Sequence, residues 1–144
     1  MVKSVNFDDY QKTQTNYKDT NFLQSAEMAK LQLSRNHIGE VEALVFERDG
    51  LIVGQTIIVY RRSFRIFRKA LLLHGPLLDY NSITDLPDLL EVLILYLKKK
   101  NIASLSIHPY LTNLIRNEEL EILEEDKADE VSKVFEKLGF EQYL

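Results

Sequence analysis

The chain has 144 residues, 45% of them hydrophobic, about the size of one domain and enough to bury roughly two thirds of its unfolded surface. A formal net charge of -4 and a pI near 5.4 argue against a generally basic nucleic-acid binder and confine any anion site to a local patch. Without cysteine there is neither a disulfide framework nor a thiolate zinc site.

The first nine residues lack the apolar core of a secretion signal. Leu89 to Leu97 is apolar apart from Glu91, but far short of the ~20 residues of a spanning helix. The chain therefore reads as soluble and cytoplasmic. Asn6 to Tyr17 is polar, and Asp8 and Asp9 suit the positive end of a short helix. The spacing of Phe22, Ala26, Ala29 and Leu33 predicts a second helix, with Asn21 or Ser25 as its cap and Asn36 to Gly39 as its exit. Val41 to Glu47 and Leu51 to Tyr60 are apolar runs around Arg48-Asp49-Gly50, which predicts an antiparallel hairpin. Phe64 to Leu73 is a third strand, entered through a basic loop and ended at Gly75-Pro76, because proline donates no N–H and restricts the residue before it to extended backbone.

Ser82 to Asp85 offer caps for a leucine-rich helix over Leu89 to Lys100, with Pro87 in its first turn. Leu90, Leu93, Ile94 and Leu97 surround nearly its whole circumference, so it should pack between a sheet and another element. Ala103 to Ile107 reads as a short buried strand stopped by Pro109. Glu118 to Glu130 holds eight acids and one lysine and reads as a solvated loop and helix start. Val131, Val134, Phe135 and Leu138 then predict a terminal amphipathic helix closed by Gly139. The order predicts a mixed α/β (α+β) domain with a mostly antiparallel sheet, in which a meander precedes a strand–helix–strand crossover.

Gly75-Pro76-Leu77-Leu78-Asp79-Tyr80 resembles the Gly-Pro-(apolar)2-Asp-Tyr segment of the Fem family of peptidoglycan aminoacyltransferases. Three further segments are similar in the family's order: Phe22-Leu23-Gln24-Ser25 with Ala29-Lys30, Ile107-His108-Pro109-Tyr110, and Leu138-Gly139-Phe140. The resemblance implies a GNAT-like acyl-CoA N-acyltransferase fold. It also implies that residues 1–144 form one acyltransferase-like domain, the first half of a protein that carries two such units and a helical hairpin. The family transfers an amino acid from aminoacyl-tRNA to a cell-wall precursor peptide, and half of that machinery should be inactive alone. By resemblance, Gln24, Lys30, His74, Tyr80, His108 and Tyr110 are the candidate substrate-binding residues, and no catalytic residue is assigned. The family's helix tryptophan is Met28 here and its second lysine is Gln32. Its tyrosine before the Gly-Pro pair is Leu71, an arginine is His74, and the aspartate of Asp-Pro-Tyr is His108. These departures imply weaker contacts to a diphosphate-bearing precursor.

His74 and His108 each follow a strand beside a proline break, where a histidine near neutrality serves as a general base or donates to a phosphate; the plainer alternative is a strand-end histidine bonded to backbone. Together with His37 they lack metal-ligand spacing, so no metal is expected. Arg61, Arg62, Arg65 and Arg68, with Lys69 and the interleaved Phe64 and Phe67, form the densest cationic cluster. They suit phosphates, tRNA or an anionic lipid headgroup, or else a charged edge that resists aggregation. Two other readings remain. An acetyl-CoA-dependent N-acetyltransferase needs a glycine-rich phosphate loop, which Gly39, Gly50, Gly54, Gly75 and Gly139 do not supply, and no cofactor is expected. A non-catalytic binding or dimerisation module, a remnant of a larger enzyme, is the third; separately, a homodimer and peripheral contact with a membrane stay open as partners.

Overall fold

The structure, a computed structural model, describes residues 1–35, 40–111, 114–119, 121–125 and 128–142. It opens with Val2–Val5 (β1), then Phe7–Thr13 (α1). Asn6 caps α1 by accepting the Asp9 N–H at 2.8 Å, as its acidic first turn favours. A 3-10 turn over Phe22–Gln24 leads into Ala26–Leu33 (α2), capped by Ser25, whose Oγ accepts the Met28 N–H at 3.1 Å. The predicted apolar face is corrected here. Phe22 precedes α2 and is exposed, as is Leu33, while Ala26, Met28 and Ala29 are buried. The proposed exit, Asn36 to Gly39, and with it His37, lies outside the described residues.

Val41–Arg48 (β2) and Leu51–Ser63 (β3) form the predicted hairpin, with Asp49 and Gly50 both left-handed at φ 51 and 78. That pair is what a two-residue turn requires. The next strand, Phe67–Leu73 (β4), starts later than expected because Phe64 and Arg65 form the turn at φ 52 and 62. After a cis Gly75-Pro76 bond come Leu77–Leu78 (β5), a 3-10 segment over Tyr80–Asp85, Leu86–Lys99 (α3) and Ile102–His108 (β6). Asp85 stands at the α3 N-cap position but caps nothing, since its carboxylate pairs instead with Arg48, which also holds Asp88 at 3.0 Å.

The main sheet runs β1-β2-β3-β4-β6, antiparallel except for the parallel β4/β6 pair, and β5 joins β3 at Gly54 and Gln55. The mixed architecture, meander and crossover are as predicted. β6, however, is not a buried strand. It lies at the sheet edge and alternates half-buried with exposed residues, Ile102, Leu105 and Ile107 alone turning toward the core.

The acidic run is also corrected. Leu114–Arg116 (β7) and Ile122–Glu125 (β8) pair as a separate antiparallel hairpin before Ala128–Lys137 (α4). Asn117 organises its turn, accepting the N–H groups of Glu119 and Glu121 at 3.0 Å each. α4 ends as predicted. Gly139 sits at φ 85, the Phe140 N–H reaches the Phe135 carbonyl at 3.0 Å, and the two rings meet edge to face at 5.3 Å. Among the described residues, no helix is long and apolar enough to cross a membrane.

Alternation along β2 and β3 sorts the core into two layers. Leu44, Phe46, Ile58 and Tyr60 face Leu86, Leu89, Leu90, Leu93 and Leu97 of α3, with Val131 of α4 beyond. Ala43 and Ile57 face Tyr10, Ala26, Met28 and Ala29 on the other side. Gly54 lies under α3, where a Cβ would stand 2.8 Å from Leu89 Cδ1.

Glu42 closes one end of the α3 layer. Its carboxylate accepts from Tyr60 at 2.6 Å, from Lys100 at 2.8 Å and from the Tyr96 hydroxyl, while the Lys100 ammonium lies 5.1 Å from the Tyr96 ring centre. Burial works to raise this carboxyl, but the hydrogen bonds from Lys100, Tyr60 and Tyr96 and the Lys100 charge outweigh it and hold it below its ordinary value. A group lowered in the folded state contributes stability that is fully present above its unfolded pKa, here the ordinary 4.5, and is lost as pH falls through the folded value. Chemical denaturation between neutral pH and pH ~3 should therefore show a stability loss that Glu42→Gln flattens; an unchanged acid limb in that variant would remove Glu42 from the account.

Candidate functional site

The parallel strands β4 and β6 end side by side, with Leu73 in register with His108. Open α/β sheets bind ligands outside such carboxyl ends. His74 leaves β4 at φ 54, half-buried, and its ring stacks on Tyr110, centroids 4.8 Å apart and planes inclined by 22°. The Gly75-Pro76 and Pro109 breaks make this contact, because each turns the chain just past its strand. His108 is exposed as the last residue of β6, on the lip of a cavity of about 430 Å³ between β6 and α4, lined also by Ile107, Pro109, Val131, Phe135 and Phe140.

Tyr80 is buried, its hydroxyl donating to the Pro76 carbonyl at 2.7 Å, so it locks the Gly-Pro turn rather than meeting solvent. Burial, and then the charge of Asp19, push its phenol up. The same two causes push the Tyr17 phenol up to about 12. Asn21, expected as a helix cap, makes no side-chain cap bond. Its Nδ2 instead donates to the carbonyls of Asp19 and His74, each at 2.9 Å, tying the loop before α2 to the end of β4. Sequence reasoning missed Asn21 as part of this end, since its partner His74 lies on another element.

Gln24 is the side chain on which this end is built. Extending the β3/β4 register would set Leu73 opposite Ile57, yet the pairing stops at Val59 with Leu71 and resumes only at Gln55 with Leu77. The Gln24 amide fills the gap. Its Oε1 accepts the Ile57 N–H at 2.9 Å and the Thr56 hydroxyl at 3.0 Å, and its Nε2 donates to the Ile57 carbonyl at 3.2 Å and the Leu73 carbonyl at 2.7 Å. All four hydrogen-bonding positions of the amide are used, and the residue is 1% exposed. Gln24 thus supports the site from beneath and has no group left for a ligand. Gly75 lies against it so closely that a Cβ there would stand 2.5 Å from Gln24 Cδ.

The other candidates lie apart. Lys30 is exposed on α2 and pairs with Asp8 of α1 at 3.0 Å, with no bond to the His74 end. The arginines occupy the β3–β4 turn, at the opposite end of β4. Arg68 pairs with Glu40 and lies 5.2 Å over the Tyr60 ring. Arg61, Arg62 and Arg65 are exposed. Among the described residues, no group of three or more His, Asp or Glu side chains could hold a metal ion.

The fold is shared with solved structures of acyl-transferring enzymes. FemX superposes with a TM-score of 0.71 at 15% identity, over 98% of this chain and 32% of that protein, so the chain spans about a third of its length. The ribosomal-protein-alanine N-acetyltransferase of Brucella melitensis biovar Abortus 2308 gives 0.58 at 13% identity, covering 100% of this chain and 97% of that one. An aminoglycoside acetyltransferase from an uncultured soil metagenomic sample gives 0.59 at 13%, covering 100% and 91%. No curated protein sequence matches significantly. The FemAB family model matches residues 3–143.

A double-mutant cycle tests the support beneath the site. Gln24→Ala strands the Ile57 N–H and two carbonyls and should cost roughly 2–4 kcal/mol in urea denaturation. Gly75→Ala should also destabilise, but markedly less in the Gln24→Ala background, where the obstructing amide is gone. Simple additivity would mean that the two residues do not oppose one another.

Proposed function

Because the chain belongs to the FemAB family, we propose that it is one acyltransferase-like unit of a peptidoglycan-branching aminoacyltransferase. In this reading an amino acid moves from aminoacyl-tRNA to the amine of a cell-wall precursor peptide in the cytoplasm. The observation that carries it is the family match along nearly the whole chain, and the convergence of His74, His108 and Tyr110 at the carboxyl ends of β4 and β6 agrees with it. Aminolysis of an ester needs an amine nucleophile held beside the carbonyl and a stabilised oxyanion, so positioning supplies much of the rate. The stacked His74–Tyr110 pair and exposed His108 offer flat surfaces and ring N–H groups for an acceptor peptide. Donor binding falls to parts of the protein outside this unit.

Acetyl-CoA-dependent transfer is the competing reading, favoured by acetyltransferases of similar size. The helix start that would meet a pyrophosphate argues against it. Asp85 stands at the N-cap of α3 and Asp88 in its first turn, with a 3-10 segment before them, and the first turn of α4 carries Asp129 and Glu130. A helix N-terminus that receives phosphate presents bare N–H groups rather than carboxylates.

The 144-residue chain is expected to show no aminoacyl transfer from aminoacyl-tRNA to precursor, and to bind precursor weakly, with His74→Ala lowering affinity by roughly three- to tenfold, the size of one lost ring contact. Turnover by this chain alone that disappears in His74→Ala would identify a complete small enzyme instead. In calorimetry, acetyl-CoA should produce no binding heat, and one-to-one binding at micromolar affinity would move the assignment to the acetyltransferases.

A further inference from the structure

The turn between β3 and β4 breaks three local rules at once. Arg62 stands directly opposite Arg68, and Arg61 opposite Lys69, so two cross-strand pairs bring like charges together. Phe64 and Arg65 hold the left-handed conformation that turns ordinarily give to glycine or asparagine. Phe64 is 89% exposed, Ile66 82% and Phe67 53%, a cluster of large apolar side chains on a protruding tip. Each feature costs hairpin stability, and together they place an apolar point within a collar of cations. The rest of the chain is acidic enough to leave the total at -4.

We infer that this tip docks on an anionic lipid bilayer, with Phe64 and Ile66 entering the headgroup level and Arg61, Arg62 and Arg65 lying against lipid phosphates. Charge complementarity selects an anionic partner. The form of the surface selects a membrane over a nucleic acid. Nucleic-acid grooves track the backbone with cations and stack bases on aromatic faces, whereas here an aliphatic Ile66 shares the most exposed position on a convex point. Apolar tips ringed by basic residues suit the bilayer interface, where the apolar part is buried and the charges stay at headgroup level. The inference uses none of the residues at the His74 end, which lies roughly 20 Å away along β4. It stands or falls separately from the transferase reading.

The chain contains no tryptophan, so Phe64→Trp gives a clean reporter. With vesicles of equal parts phosphatidylglycerol and phosphatidylcholine at low salt, the protein should co-sediment and the introduced indole should shift to the blue. Pure phosphatidylcholine vesicles should do neither. Arg61→Gln/Arg62→Gln/Arg65→Gln should lower partitioning at least tenfold. Phe64→Ser/Ile66→Ser should lower it similarly and leave the thermal transition in place, because both side chains are exposed. Absence of co-sedimentation at low salt would overturn the inference, as would binding with no blue shift. Binding of tRNA through the same arginines, with vesicles ignored, would reassign the tip to nucleic acid.

Discussion

One side-chain amide sits where a strand should be. β3 pairs with β2 on one side and with β4 and β5 on the other, but at Ile57, between the last β4 pair and the β5 pairs, the neighbouring chain swings away and Gln24 supplies the missing donor and acceptor. A buried peptide group without a partner costs about 1–3 kcal/mol, so the sheet can open here only because something takes the strand's place. The opening is also what produces the candidate site. With β4 released from β3 at Leu73, His74 turns out at positive φ, Gly75 passes over the amide, and Leu77 re-enters the sheet. The Tyr10 hydroxyl, bonded to the Gln24 carbonyl at 2.9 Å, anchors the inserted residue from α1.

This arrangement explains why the Gly-Pro motif can be informative without touching a ligand. Gly75 gives clearance for Gln24, and the Pro76 carbonyl receives Tyr80. The motif's conspicuous residues hold a loop in shape so that the residue just before them, His74, is presented to Tyr110. Gln24 and Tyr80 are therefore buried and fully engaged within the chain, whereas His74, His108 and Tyr110 are at least partly exposed.

Elements encoded by local chemistry were readable from the sequence: the Asp49-Gly50 turn, the leucines of α3, and the i, i+3, i+4, i+7 stripe of α4 with its terminal Gly139. Elements defined by a distant partner were not. β1 has four residues and β5 two, and each exists because β2 or β3 offers a free edge. The β7–β8 hairpin was masked by its acids, since Ile122–Glu125 shows only two apolar residues to a reader who cannot see Leu114–Arg116 across from it. β6 alternates over Ser104 to His108, with Leu105 and Ile107 half-buried and the serines and His108 exposed, but its apolar composition suggested burial on both faces. The family motifs gather His74, His108 and Tyr110 at one end of the sheet, but they did not separate side chains already bonded within the chain from those left exposed. That division depends on which side chains are already bonded, a property of the three-dimensional neighbourhood.

Among the described residues, five other than glycine have positive φ: Asp49, Phe64, Arg65, His74 and Asn101. Aspartate, asparagine and histidine tolerate that conformation better than most, so Asp49 and Asn101 need no cause beyond their turns. Phe64 and Arg65 have no such excuse. A bulky side chain in the left-handed region costs about 1–3 kcal/mol and persists where surrounding structure or function retains it. Here only the turn's own backbone bond, from the Ile66 N–H to the Phe64 carbonyl at 2.7 Å, and the strand ladder below hold it, for the Phe64 side chain is almost fully exposed and like charges stand opposite one another at Arg61 and Lys69. His74 is the converse case, its conformation held by the Asn21 bond to its carbonyl and by the Tyr110 stack. Strain thus appears at both ends of β4, braced by side chains of neighbouring elements at one end and only by the hairpin's own backbone at the other, where burial of Phe64 and Ile66 against an external partner would offset it.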